Sequence, residues 1–357
     1  MEKRESSIEL LRIYSMLIIV MYHYMVNSKL ADVLFAGGDA ALPKDILMVI
    51  LCCGGKYSIN CFVLITGYFM CKSNISIRKF LKLFLEVELY GVIIYLVFPM
   101  TGYDRFVLSD FLSYVFPVFA IGVGFVGSYL AFYWFIPFLN ILIKNINKKQ
   151  HFAIIILSIF FFSVVPTFCV SADVKIGYVG WFMIVYLIGA YIRIYHENTK
   201  RTTSFWGTLT LFIFVVSAIS TVACSYLYAH FWGDNIHAAY YFLNECNKFF
   251  AIIPAISTFI FFKSLKLGSN KVINKIAASS FAVLLIHGHS LTMQRWLWDD
   301  VCDNAGWYNT RFAFLHLFVC TIGVYIICTA IDMLRIRFIE KWYLKLVDKA
   351  LSKESSR

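Results

Sequence analysis

Apolar stretches about as long as a bilayer is thick recur along the whole chain, and no other feature restricts its fold as much. A helix needs roughly 20 apolar residues to cross the hydrocarbon core. Inside that core every backbone polar group must be bonded within the protein, which leaves helices as the natural way to span. Runs of this kind lie at 8–27, 45–70, 80–99, 125–143, 152–170, 178–195, 205–229, 243–265, 276–295 and 311–334. Only 15% of the 357 residues are charged, where about a quarter is usual for a soluble domain. The expected fold is therefore an all-α polytopic membrane protein, a compact bundle of about ten transmembrane helices. No polar stretch is long enough for a second folded unit. Residues 1–334 read as one transmembrane domain, and 335–357 as a basic amphipathic tail on the inner leaflet.

The net charge of +11 would suit nucleic acid if it were spread over one surface. It is not. Outer loops and span interiors hold only Lys29, Lys44, Lys56, Arg105, Lys175, Lys248, Arg295 and Arg311 of the 32 Lys and Arg. The rest collect in the segments on the other side, and that asymmetry predicts both termini in the cytoplasm. The first span, long and carrying Arg12, reads as a retained helix rather than a cleaved signal. The ten cysteines show neither metal-ligand spacing nor a disulfide framework, so no metal is expected. Trp181, Trp296, Trp298, Trp307 and Trp342 read as headgroup-level aromatics. The stretch 100–128 is broken by Pro117, Gly122, Gly124 and Gly127. It reads as an interfacial helix or a re-entrant segment.

Ionisable residues at membrane depth are costly and usually functional. The first span, "IELLRIYSMLIIVMYHYMV", holds two, Arg12 and His23. Eleven residues make three helical turns and about 20° more, so the two share a face, roughly 16 Å apart along the axis. Arg12 alone would pass for a snorkelling anchor, and His23 alone for a helix–helix hydrogen bond. On one stripe they suggest a polar path inward from the cytoplasm. At the start of the third span, "IRKFLKLFLEVELY" carries Arg78, Lys79 and Lys82. Three cations at one helix start either mark topology or grip an anion. Glu86, four residues after Lys82, suggests an intrahelical pair. In the second span Asn60 reads as packing glue, and Thr66 and Gly67 as a place of close backbone approach. Near the other end, "SSFAVLLIHGHSLTMQRWLW" places His287 in the middle of a span, with His289 and Arg295 following. A second intramembrane histidine suggests a polar cavity shared with His23.

With these segments in view, the chain resembles the integral-membrane acyltransferase-3 family, whose members O-acylate cell-surface glycans. Arg12 and His23 match that family's first-helix pattern of Arg, ten residues and His. "FVLITGYFM", "RKFLKLF", "IPFLNILIKNINKKQ", "WFMIVYLIGAYIRIY" and "SSFAVLLIHGHSLTMQRWLW" resemble its later segments in order. Lys79 and Lys82 stand where the family usually has arginines, which keeps the charge but loses the bidentate fork. The tryptophan usual before "PFLN" is not in its expected place.

The resemblance implies a bacterial inner-membrane enzyme that moves an acyl group, most often acetyl, from cytoplasmic acyl-CoA to a hydroxyl of a surface or lipid-linked glycan. It implies His23 as general base or transient acyl carrier, with His287 a second polar group at the site. It implies Arg12, Arg78, Lys79 and Lys82 as binders of the CoA phosphates. Two other classes fit the composition: a glycan-precursor transporter or flippase, and a non-catalytic partner of a polysaccharide synthase. The first commonly shows paired broken helices, and the second needs no Arg12–His23 stripe.

Overall fold

The computed structural model describes residues 5–34, 43–73, 75–116, 124–169, 174–196, 201–232 and 241–354, and all regular structure among them is helical. In chain order the helices are α1 (Ser6–Val26), α2 (Pro43–Cys52), α3 (Gly55–Met70), α4 (Ile77–Met100), α5 (Leu108–Val115) and α6 (Gly124–Asn145). There follow α7 (Lys148–Phe168), α8 (Tyr178–Tyr195), α9 (Thr203–Trp232) and α10 (Phe249–Ser264). The chain ends with α11 (Lys271–His287), α12 (Leu291–Val301), α13 (Ala313–Arg335) and α14 (Lys341–Glu354). Among the described residues eight helical segments are long and apolar enough to cross a membrane, or nine if a bent pair counts as one.

α1 and α3 form the centre of the bundle. α3 packs on α1, α8 and α10, and α1 also touches α11 and α13. The α3–α8 contact is made backbone to backbone. A Cβ added to Gly67 would lie 2.4 Å from the Tyr186 carbonyl oxygen, and one added to Gly189 would lie 2.4 Å from that of Leu64. Small residues permit such approach where lipid supplies no hydrophobic drive. Asn60 fastens the same centre. It accepts from Trp181 Nε1 at 2.9 Å and donates to the Cys246 and Ala251 carbonyls at 2.8 and 3.2 Å.

Several expectations change. The ninth span is not continuous, because α11 and α12 meet at a 97° bend across 288–290. His287 is thus the last residue of a helix and not the middle of one. α10 has only 16 residues, shorter than the run that announced it. Trp181 and Trp298 are not headgroup anchors. Both are fully buried, whereas Trp342 is exposed. Within 100–128, residues 101–107 form a turn and α5 lies exposed, while Pro117 and Gly122 fall outside the described residues. Thr292 donates to Asp104 at 2.6 Å across the turn, and that bond holds the Asp104 carboxyl below its ordinary range.

Glu86 does not pair with Lys82. Its carboxylate meets Arg335 at 3.2 Å, and Lys82 instead meets Glu340 at 2.5 Å. Arg335 also bonds Asp332 at 2.6 Å and Glu340 at 3.1 Å. Farther out, Arg78 pairs with Asp348 at 2.6 Å. The end of α13, Glu340 and the Asp348 turn of α14 are therefore fastened to the first half of α4. A side chain's partner on a distant helix is invisible to spacing rules, which report only neighbours on the same helix.

Candidate active site

His23 stands in the last turn of α1, and His287 closes α11 just before the bend. The two ring nitrogens nearest each other, His23 Nδ1 and His287 Nε2, are 2.9 Å apart. His287 Nδ1 lies 2.6 Å from the Val283 carbonyl oxygen. A carbonyl can only accept, so His287 Nδ1 carries the hydrogen, and in the neutral ring Nε2 is a lone pair. His23 Nδ1 must then be the donor to it. This leaves His23 Nε2 unprotonated, and among the described residues nothing bonds to it. A ring fixed in one tautomer with a bare nitrogen is the arrangement a general base requires.

That ring lines a cavity of about 480 Å³. Its walls come from α1, α3, α4, α5, α6, α8 and the α11–α12 bend, with Tyr22, Asn27, Lys56, Tyr178, His289 and Gln294 among the polar groups. The bend serves the site directly. At Gly288 a Cβ would come within 3.5 Å of His23 Cε1 and 3.0 Å of the Leu284 carbonyl oxygen. The bend thus lies within van der Waals reach of the His23 imidazole. His289 donates from Nε2 to the Gly91 carbonyl at 2.9 Å and stacks on Tyr114 with ring centroids 4.4 Å apart. Its Nδ1 is buried and bonded to nothing among the described residues.

The structure thus brings His23 and His287 together and leaves the four basic residues elsewhere. Arg12 lies beside Glu9 on its own helix at 3.5 Å. Arg78 and Lys82 are held by carboxylates of the C-terminal segment, and Lys79 bonds the Ser73 hydroxyl at 2.8 Å. None of the four lines the cavity. Sequence reasoning missed Lys56, Tyr178 and Tyr22 as site residues. Lys56 had a signal, a lysine directly after two glycines at the start of an apolar run, but charge counting assigned it to topology.

The model of the acyltransferase-3 family, an acyltransferase domain, matches residues 5–333. The chain belongs to the acyltransferase-3 family. No curated protein and no solved structure was found to match it. As an acyltransferase-3 protein with eight or nine candidate spans it is a multi-pass membrane acyltransferase. The cavity at His23 holds an imidazole fixed in one tautomer by a second histidine, a geometry able to take up a proton.

Proposed function

We propose that this acyltransferase moves an acyl group, most simply acetyl, from acyl-CoA to a hydroxyl of a surface or lipid-linked glycan, with His23 as the general base. The observation that carries the reading is the bare Nε2 of His23, which faces a cavity while Nδ1 is committed to His287. In this mechanism the acceptor hydroxyl enters the cavity and attacks the thioester carbonyl carbon as its proton passes to Nε2. The C–S bond then breaks, and the departing sulfur takes the proton back from Nε2. His287 holds the imidazole in place throughout and accepts the Nδ1–H of the imidazolium. It is a positioning residue.

The donor's phosphates are assigned to the basic end of the molecule, with Arg12, Arg78, Lys79 and Lys82 as candidate contacts. The roughly 16 Å that a helix places between Arg12 and His23 suits an extended pantetheine arm, whose thioester would reach the base while the nucleotide stays at the mouth. Orientation with that mouth in the cytoplasm rests on the distribution of Lys and Arg, and placement in a bacterial inner membrane rests on the family resemblance alone.

The test is acyl transfer or acetyl-CoA cleavage by purified protein in detergent or nanodiscs. His23→Ala should lower the rate by about 10²- to 10⁴-fold, the usual contribution of a positioned base, with an unchanged unfolding profile. Full activity in that variant would remove His23 from the chemistry.

A further inference from the structure

Among the described residues that line the cavity, Lys56 carries the only permanent charge; no Asp, Glu or Arg accompanies it. Two glycines bring it there. A Cβ on Gly55 would fall 2.4 Å from the Tyr22 ring, and one on Gly54 would fall 2.4 Å from the Ile18 side chain. The start of α3 is therefore pressed against the last two turns of α1, and Lys56 enters the same space as His23. Its ammonium donates to the Tyr178 hydroxyl at 3.1 Å and lies 5.7 Å from the centre of that ring. No carboxylate among the described residues is within ion-pair distance.

Two buried cations in this chain are treated differently: Arg335 has three carboxylates and Arg193 has Glu5 at 3.4 Å. Lys248 resembles Lys56 in meeting neutral groups, the Pro166 carbonyl at 2.7 Å and the Tyr241 ring, but it does not line the cavity. Taking an ammonium out of water is unfavourable unless an opposite charge meets it. Lys56 has no carboxylate in direct contact among the described residues, and it opens into the cavity where, on the function proposed above, a substrate would sit.

We propose that Lys56 and Tyr178 receive a carboxylate carried by the substrate, so that this enzyme works on an acidic partner. The ammonium would bind one carboxylate oxygen. The Tyr178 hydroxyl, which now accepts from Lys56, would turn its own proton to the other. The carboxylate has two sources: a uronic-acid-type sugar on the acceptor side, or a dicarboxylic acyl group on the donor side. The proposal rests on the cavity being the transfer site.

Two paired comparisons on the purified full chain test it. Thermal unfolding is followed with methyl β-D-glucuronide and with methyl β-D-glucoside, at matched ionic strength. Thioester cleavage is followed with succinyl-CoA and with acetyl-CoA. The wild type should favour the acidic member of one pair by about tenfold or more, the usual worth of a charged hydrogen bond. Preference for the glucuronide assigns the carboxylate to the acceptor, and preference for succinyl-CoA assigns it to the acyl group. Lys56→Met should bring that ratio close to one, Lys56→Arg should keep most of it, and Tyr178→Phe should lower it. No preference in either pair overturns the proposal, as does a preference that Lys56→Met leaves intact. The sugar comparison reads binding alone, so it stands even if His23→Ala retains full activity and the base assignment falls.

Discussion

At the scale of single residues the site depends on one tautomer. Val283, His287 and His23 form a line in which each hydrogen has one place to go. Replacing His287 with Phe removes the acceptor for His23 Nδ1–H and lets the ring turn or change tautomer. We expect the rate of transfer to fall by about 10²-fold with little change in the KM for acyl-CoA, because His287 does not touch the donor. A matching loss of donor affinity would give His287 a different role. Both histidines were legible in the sequence, His23 through its spacing from Arg12 and His287 as a polar residue in an apolar run. Their direct contact was not, since 264 residues separate them. Lys56 was legible as a charge and illegible as a site residue. Only the packing of Gly54 and Gly55 on α1 shows that it points into the cavity.

At the scale of elements, apolar run length predicted most helices well, because a bilayer sets that length directly. It failed where a helix breaks for a purpose. "IHGHS" contains one glycine and no proline, a weak stop signal, yet α11 and α12 diverge there by 97°. The C-terminal segment was read as a separate surface helix from its alternation of apolar and basic residues. Its acids proved the more telling part, since Glu340 bonds Lys82 and Arg335 and Asp348 bonds Arg78, while Asp332 just before the segment bonds Tyr90 and Arg335. Arg335 is the centre of that clamp and is almost wholly buried. Arg335→Met would leave the Glu86, Asp332 and Glu340 carboxylates facing one another, which should cost about 3–5 kcal/mol. Thermal or denaturant unfolding in detergent would show it, and a variant as stable as the wild type would mean the clamp contributes nothing. The same clamp has a bearing on the donor. Arg78 and Lys82 already hold carboxylates, so a nucleotide phosphate binding them must displace Asp348 and Glu340. If the donor's phosphates bind there as proposed, donor entry would be an exchange of anions.

At the scale of the whole molecule, the histidine line has an end. A backbone carbonyl cannot pass a proton on, so the path from His23 through His287 stops at Val283. With His23 as the base, a proton taken up at Nε2 leaves only from Nε2, and the departing sulfur is there to receive it. In the proposed reaction acyl and hydrogen would change places within the one cavity. If the two substrates come from opposite sides of the membrane and the acyl group is neutral, as acetyl is, the acyl group travels one way and a proton the other, and no net charge moves; a dicarboxylic acyl group would take its own negative charge across. Carrying one elementary charge across would couple to voltage at about 2.3 kcal/mol per 100 mV. Initial rates with acetyl-CoA in proteoliposomes should therefore be the same at zero and at 100 mV of imposed potassium diffusion potential. A several-fold change would mean that a charge crosses unaccompanied. On that reading, and with a neutral acyl group, the enzyme would be in electrical terms a silent antiporter whose two cargoes are the halves of a chemical reaction.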